Sequence, residues 1–346
     1  MKVRLKGLQE QVIVITGASS GIGLATARMA ATQGARLVLA ARNDDALQQL
    51  ADEIRGNGGQ AIAVGADVGF EDDMQHVAAA AIEEFGGFDT WVNNAGASIY
   101  GRCLDVKIDD MRRMFETNFW GVVYGSRIAC DHLRQRGGAL INIGSEVSDL
   151  AAPLQGIYSA SKHAVKGWTD ALRVELEDAE APISVTLIKP GPIDTPFTEH
   201  AKNYLPDQPK HAPPVYAPES VADAILYAAS TPVRDVFVGS GAKMFSSLNK
   251  WSPSLADKVT EKFVIPGTHS GKPAQGRDAL YEAGDSQLRE RGTYPGMVRK
   301  SMYTKASIHP VLTGMAMLGA GLLVGALWRK GDSESEEYES ARYRQV

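Results

Sequence analysis

Residues Val12 to Gly23 read VIVITGASSGIG, a β-branched run that ends in a glycine-rich turn; a helical pattern, Gly21–Gln33, follows. β-branched residues suit a buried strand, and glycines allow positive φ and remove the Cβ that blocks close approach. The first amides of a helix are unpaired and carry partial positive charge, so this turn suits a pyrophosphate. Gly17, Gly21 and Gly23, with Ile22 between the last two, form the candidate cradle, and Thr16 with Ser19 or Ser20 supplies hydroxyls. The spacing is G-x-x-x-G-x-G rather than the G-x-G-x-x-G of the common dinucleotide fingerprint. A tight strand-to-helix turn that binds nothing would need the same glycines.

Outward from this turn, strand-like and helix-like stretches alternate over residues 10–240. Strands are expected at Arg36–Ala41, Ala61–Gly65, Thr90–Asn93, Ala139–Gly144, Ser184–Lys189 and Val236–Gly239. Helices are expected at Asp44–Arg55, Glu71–Phe85, Tyr158–Ala179 and across the long pattern Ile108–Arg136. Such alternation predicts an α/β fold, a doubly wound parallel sheet with helices on both faces. The second strand ends Ala40-Ala41-Arg42. An acid there would bond a ribose 2′-hydroxyl, and an arginine suits a 2′-phosphate. Asp44 and Asp45 follow Asn43 and read as the capped start of a helix. Arg42 therefore points to NADP ahead of NAD.

The chain has 346 residues, 44% apolar and 22% charged, which excludes wholesale disorder and a coiled coil. Its net charge of −5 argues against a nucleic-acid partner. Two cysteines, Cys103 and Cys130, cannot build a disulfide framework, and no Cys/His spacing suggests a metal.

A chemical constellation sits in the second half of the expected sheet. Tyr158 and Lys162 in YSASK are four residues apart, so a helix puts them on one face. Ser145 lies just past the strand ALINIGS, at the carboxyl edge where ligands bind in parallel sheets. Asn118 in TNFWG is a fourth polar candidate. Reduction of a carbonyl by hydride needs a proton donor for the developing alkoxide. A lysine ammonium about 4 Å from a phenol favours phenolate by about 4 kcal/mol at an effective dielectric of about 20, or about three pKa units. Ser145 can hold the substrate oxygen beside that phenol.

With these motifs the chain resembles the short-chain dehydrogenase/reductase superfamily over residues 9–241. The resemblance rests on TGASSGIG (Thr16–Gly23), Asp67-Val68, NNAG (Asn93–Gly96), Asn118, Ser145, YSASK (Tyr158–Lys162) and PGPIDT (Pro190–Thr195). It implies a Rossmann fold, an NAD(P) cofactor and an Asn118–Ser145–Tyr158–Lys162 tetrad with Tyr158 as general acid/base. It also implies that Lys162 holds the nicotinamide ribose, that Asn118 positions a water in a proton relay, and that Asp67 touches the adenine. Val68, Asn94, Ala95 and Gly96 would lie beside the cofactor, and Pro190, Gly191, Ile193 and Thr195 near the carboxamide. A homo-oligomer is expected.

Residues 196–215, with five prolines, read as a lid over the site. His200, Tyr204 and His211 are its candidates for facing substrate. Tyr100 and residues 150–154 are candidate pocket walls, and their apolar character hints at a lipophilic carbonyl or alcohol. Trp91 and Trp168 read as core or interface. Residues 264–300 are polar, rich in Gly and Pro, and read as a linker or weakly ordered extension. Pro310–Trp328 is a 19-residue stretch without a charge, followed by Arg329-Lys330. That is near the length of a membrane span, and a helix packed on the catalytic domain is the other reading. The expected organisation is a catalytic domain at 1–245, a polar extension at 246–308, a membrane helix at 309–330 and an acidic tail at 331–346. The whole reads as a tethered NADP-dependent oxidoreductase with its catalytic domain in the cytoplasm. An NAD-dependent alcohol dehydrogenase and a non-catalytic dinucleotide-binding regulator are the alternatives.

Overall fold

The computed structural model describes residues 3–241, 244, 247, 251–284, 288–309 and 313. Seven strands form one parallel sheet: β1 (Val12–Thr16), β2 (Arg36–Ala41), β3 (Gln60–Gly65), β4 (Thr90–Asn93), β5 (Gly138–Ile143), β6 (Ile183–Pro190) and β7 (Asp235–Val238). Their order is β7-β6-β5-β4-β1-β2-β3, and every neighbouring pair is parallel. Parallel strands covered on both faces read as continuous apolar runs. β1, β5 and β6 are accordingly buried along their whole length.

The covering helices are α1 (Gly21–Thr32), α2 (Asp44–Gly56), α3 (Glu71–Phe85), α4 (Ile108–Phe115), α5 (Gly121–Arg136), α6 (Gly156–Asp178) and α7 (Glu219–Ser230). The expected alternation is present, with ends shifted by one or two residues. Asn43 caps α2, its side chain accepting from Ala46 N at 3.0 Å, and Asp44 and Asp45 sit in the first turn. The long pattern Ile108–Arg136 is not one regular helix. A single π turn, Glu116–Trp120, separates α4 from α5 and contains Asn118. Such turns often occur at functional sites. Helix α7 was not expected. Its Ala-rich segment follows Pro218 and carries a weak period; packing against α1 and burial of eight residues define it.

The largest departure from the sequence reading is the extension. Residues 1–304 form one compact unit, so the described part of 264–300 is not a free linker. His269–Pro273 pairs antiparallel with Asp207–Pro209, and Val298–Arg299 pairs with Val215–Tyr216. Leu280 is 1% exposed among Ile99, Val106 and Met114. The hydroxyls of Tyr281 and Tyr204 donate to the two oxygens of Asp110 at 2.8 and 2.6 Å. Arg28 pairs with Glu290 at 2.7 Å. A few scattered apolar and ionic anchors, rather than a hydrophobic period, hold this segment, and periodicity cannot reveal them. Beyond Thr304 a second unit begins, of which residues 305–309 and 313 are described. The expected membrane segment, 310–328, lies outside the described residues apart from residue 313. Among the described residues no helix is long and apolar enough to cross a membrane.

Asp110→Ala leaves both tyrosine hydroxyls without their acceptor. The Leu280 and Tyr281 amides should then exchange about tenfold to a hundredfold faster, the scale of one hydrogen bond to a charged group. Hydrogen-exchange mass spectrometry checks this against sheet amides, whose rates should not change.

Candidate active site

The strand order reverses between β1 and β4, and crevices form at such switch points. The loops there are laced together. Thr16 Oγ1 donates to Val92 O at 3.2 Å and accepts from the amides of Asn94 and Ala95 at 3.0 and 3.1 Å. Asn94 Nδ2 returns bonds to the carbonyls of Thr16 (2.9 Å) and Gly17 (3.3 Å). Gly17 sits at φ +67°, and a Cβ there would lie 2.8 Å from Ala95 Cα. Thr16 and Gly23, expected at the cofactor, thus serve packing and do not line the cavity. A cavity of about 630 Å³ opens over these loops. Gly17, Ser19, Ser20, Gly21 and Ile22 line it, followed by Arg42, Asp67 and Val68. Asn94–Gly96, Pro190, Gly191, Ile193 and Thr195 continue the wall.

The end of the cavity beside Arg42 and Asp67 holds a cation excess. The guanidinium of Arg113 is bonded to the carboxylate of Asp67, and its Nε donates to Leu280 O at 3.1 Å. Arg42 donates to the carbonyls of Ala279 at 2.5 Å and Leu280 at 3.3 Å. Burial holds Arg42 below its ordinary pKa, with Arg113 pushing the same way and Asp67 opposing. Two guanidiniums therefore share one carboxylate. The extension also reaches the glycine turn, where Gly21 N donates to Arg289 O at 3.0 Å. No sequence signal announced these contacts.

Three of the four tetrad residues meet at the other end. Ser145, Tyr158 and Lys162 line the cavity. Lys162 Nζ donates to Ile143 O at 2.8 Å and stands 5.8 Å from the centre of the Tyr158 ring. Ser145 hydrogen-bonds the phenol. Its Oγ also accepts from Val147 N at 3.3 Å. Asn118 is fully buried and does not reach the cavity. Its Oδ1 accepts from Ala97 N at 2.8 Å, and its Nδ2 donates to Ala97 O and to Ser161 Oγ at 2.9 and 3.1 Å. It ties the π turn to the NNAG loop and to α6.

The protonation pattern corrects one expectation. Burial pushes Tyr158 up to about 12; the Ser145 hydrogen bond opposes this and the negative charge of Glu146 adds to it. Burial likewise pushes Lys162 down to about 8. The lysine does not lower the phenol by about three units as expected, because desolvation acts on both groups. Tyr158 is a held proton donor here.

The lid supplies Phe197, whose ring meets Tyr158 edge-on at 5.7 Å, and His200 and His211 also line the cavity. Tyr204 does not; its hydroxyl is engaged by Asp110. Tyr100 and residues 150–152 are walls as expected. Trp91 is fully buried, its Nε1 donating to Asn93 Oδ1 at 2.8 Å, and Trp168 packs beside Val122, Val165 and Leu187. Sequence reasoning missed Glu146, which its position after Ser145 could have suggested. It also missed Val259, Phe263, Val264 and Ala279 of the extension.

A family model described as short chain dehydrogenase matches residues 11–205. The chain is a short-chain dehydrogenase/reductase. It is 51% identical over 324 residues to the uncharacterized oxidoreductase YxnA of Bacillus subtilis, covering 92% of this chain and 91% of that protein. It is 40% identical over 191 residues to 11-beta-hydroxysteroid dehydrogenase A of Arachis hypogaea, spanning 55% of this chain and 54% of that one. Among solved structures, a short-chain dehydrogenase/reductase from Burkholderia phymatum in complex with NAD aligns with TM-score 0.65 and 27% identity, over 71% of this chain and 94% of that one. An alcohol dehydrogenase from Thermococcus sibiricus complexed with 5-hydroxy-NADP aligns with TM-score 0.59 and 27% identity, over 66% and 95%. The YxnA match extends well beyond the family model, so that relative shares the greater part of the extension as well as the catalytic core.

Proposed function

We propose that this enzyme is an NADP-dependent oxidoreductase that interconverts a carbonyl and an alcohol, with Tyr158 as general acid/base. The observation that carries the reading is the meeting of Ser145, Tyr158 and Lys162 in the cavity that also holds the glycine turn. When bound, the nicotinamide cofactor supplies or accepts the hydride. The residues fit such a group. Gly17 lets the glycine turn pack against Ala95, and Gly21 and Ile22 at the N-terminus of α1 line the cavity, where helix ends suit an anion. Structural neighbours bind NAD in one case and an NADP derivative in another, so the family does not choose between them. Arg42 and Arg113 against the single carboxylate of Asp67 favour the extra phosphate of NADP. A phosphate forms charge-assisted bonds about twice as strong as those to neutral carbonyls. It can therefore take donors of Arg42 now given to Ala279 and Leu280.

On the substrate side, Ser145 and Tyr158 hydroxyls bind the carbonyl oxygen, and Tyr158 delivers its proton to the alkoxide as it develops. Burial keeps the phenol protonated across physiological pH. The Lys162 ammonium stabilises the phenolate left behind, and its charge is present below about pH 8 and lost above it. Asn118 acts as a positioning residue by holding Ala97 and Ser161. We further propose that residues 310–328 tether the enzyme to a membrane with the catalytic domain on the cytoplasmic side, and that it works as a homo-oligomer. The tether rests on the charge-free run before Arg329-Lys330.

Tyr158→Phe should retain NADPH binding and lower turnover by about a hundredfold or more, the low end of general acid/base catalysis. In the wild type, kcat/KM for reduction should fall as pH rises through about 8, following Lys162. Near-normal turnover in the mutant would exclude the role. Arg42→Asp should weaken NADPH by about 1.5–3 kcal/mol, the scale of a charged hydrogen bond, and shift preference toward NADH in parallel titrations. Equal affinity of the wild type for NADH and NADPH would remove Arg42 from cofactor choice. The full chain should pellet with membranes and resist carbonate extraction; release by carbonate would refute the tether.

A further inference from the structure

The substrate end of the cavity is walled mainly by apolar side chains: Leu150, Phe197, Val259, Phe263 and Val264, with Ala151 and Ala152. Two polar groups on that wall have no part in the mechanism above. Glu146 follows Ser145 directly, lines the cavity, and is close enough to Tyr158 for its charge to be felt there. It is half-buried, and among the described residues its carboxylate has no hydrogen-bond or ion-pair partner. A carboxyl taken out of water without a partner is costly, and such groups are ordinarily paired. The second group is His211, on the lid. Its ring donates to the Ile193 carbonyl, and its Nε2 is buried without a hydrogen-bond partner. Burial pushes His211 down to about 4, so its ring is neutral and Nε2 is an acceptor. Glu146 thus offers the cavity an unpaired acceptor, whereas the Nε2 of His211 is closed off from it.

We propose that Glu146 is a specificity-determining residue that accepts a hydrogen bond from a hydroxyl beside the reacting carbon, so that the substrates are α-hydroxy carbonyl compounds and the matching vicinal diols. The proposal rests on the oxidoreductase reading of the cavity and adds the substrate class. Its reach is set by Tyr158, which feels the Glu146 charge: the recognised group sits beside the carbon that the phenol serves. A hydroxyl fits better than an ammonium. Lys210 lines the same cavity and would repel a second cation, and the mainly apolar wall disfavours charge. The apolar surface beyond takes the rest of the molecule.

Burial raises Glu146 to about 7, so its stronger acceptor form, the carboxylate, is lost as pH falls through that value. The other titratable groups lining the same cavity are Tyr158 and Lys162 of α6 and His200, Lys210 and His211 of the lid, and of these Tyr158 feels the charge of Glu146. A ratio between ketones that share ring and carbonyl cancels most of what these groups contribute.

The test uses the full chain loaded with NADP⁺, so that a ketone binds without being turned over. Acetophenone, 2-hydroxyacetophenone and 2-aminoacetophenone are titrated by calorimetry into the wild type, Glu146→Gln and Glu146→Leu. The wild type should bind the hydroxy ketone about tenfold tighter than acetophenone, the scale of one hydrogen bond to a charged acceptor. This ratio should grow as pH rises through 7, persist in part in the Gln variant, and collapse toward one in the Leu variant. Tightest binding of the amino ketone would overturn the proposal in favour of a cation site. An unchanged ratio in Glu146→Leu, or no binding of any ketone, would overturn it outright. Turnover with NADPH is measured separately: ketones that bind with this selectivity but are never reduced would refute the oxidoreductase reading and leave the hydroxyl assignment standing.

Discussion

The site depends on how β1 is joined to β4. These strands lie side by side where the sheet reverses its winding, and Thr16 and Asn94 bond the two loops to each other through side chain and backbone. Thr16 is buried and Asn94 half-buried, so losing one partner would leave another unsatisfied where little water reaches it. That cross-link fixes the glycine turn on one side of the crevice and the NNAG loop on the other. Asn118 then carries the same loop across to α6 through Ala97 and Ser161. Tyr158 and Lys162 are thereby placed against the same cavity as the glycine turn. The π turn supplies the local backbone irregularity that brings Asn118 inward.

Burial governs the chemistry more than pairwise charge does. Tyr158, Lys162, Glu146 and His211 are each pushed toward their neutral forms. A cavity of this kind keeps its acid protonated and its histidine an acceptor, and it leaves the carboxyl poised near neutral pH. Such a mixture of poised groups suits proton transfer and recognition.

The extension changes what the catalytic core presents. Ala279, Leu280 and Arg289 offer backbone carbonyls to Arg42, Arg113 and the Gly21 amide, while Phe263 and Val264 wall the substrate end. One segment therefore borders the cavity both near the glycine turn and near Tyr158. Its anchors are few, and two of them meet at a single carboxylate, Asp110.

Much of this was legible in the residues alone. Hydrophobic runs, helix caps and the glycine turn report local preferences, and these suffice for the strands, most helices and the family. The motif residues Ser145, Tyr158 and Lys162 were equally visible, because spacing on a strand end and a helix face is a local property. Helix α7 was not, since its weak period becomes helical only against α1. The extension was not either: single side chains spread over many residues hold it, and each contact joins positions distant in the chain. Nor could spacing alone set the protonation of Tyr158. That depends on how much water the folded walls exclude, which local sequence does not encode. The residues by themselves determined the sheet and the reacting groups; tertiary packing decided what surrounds those groups, because burial and long-range hydrogen bonds exist only once the chain has closed.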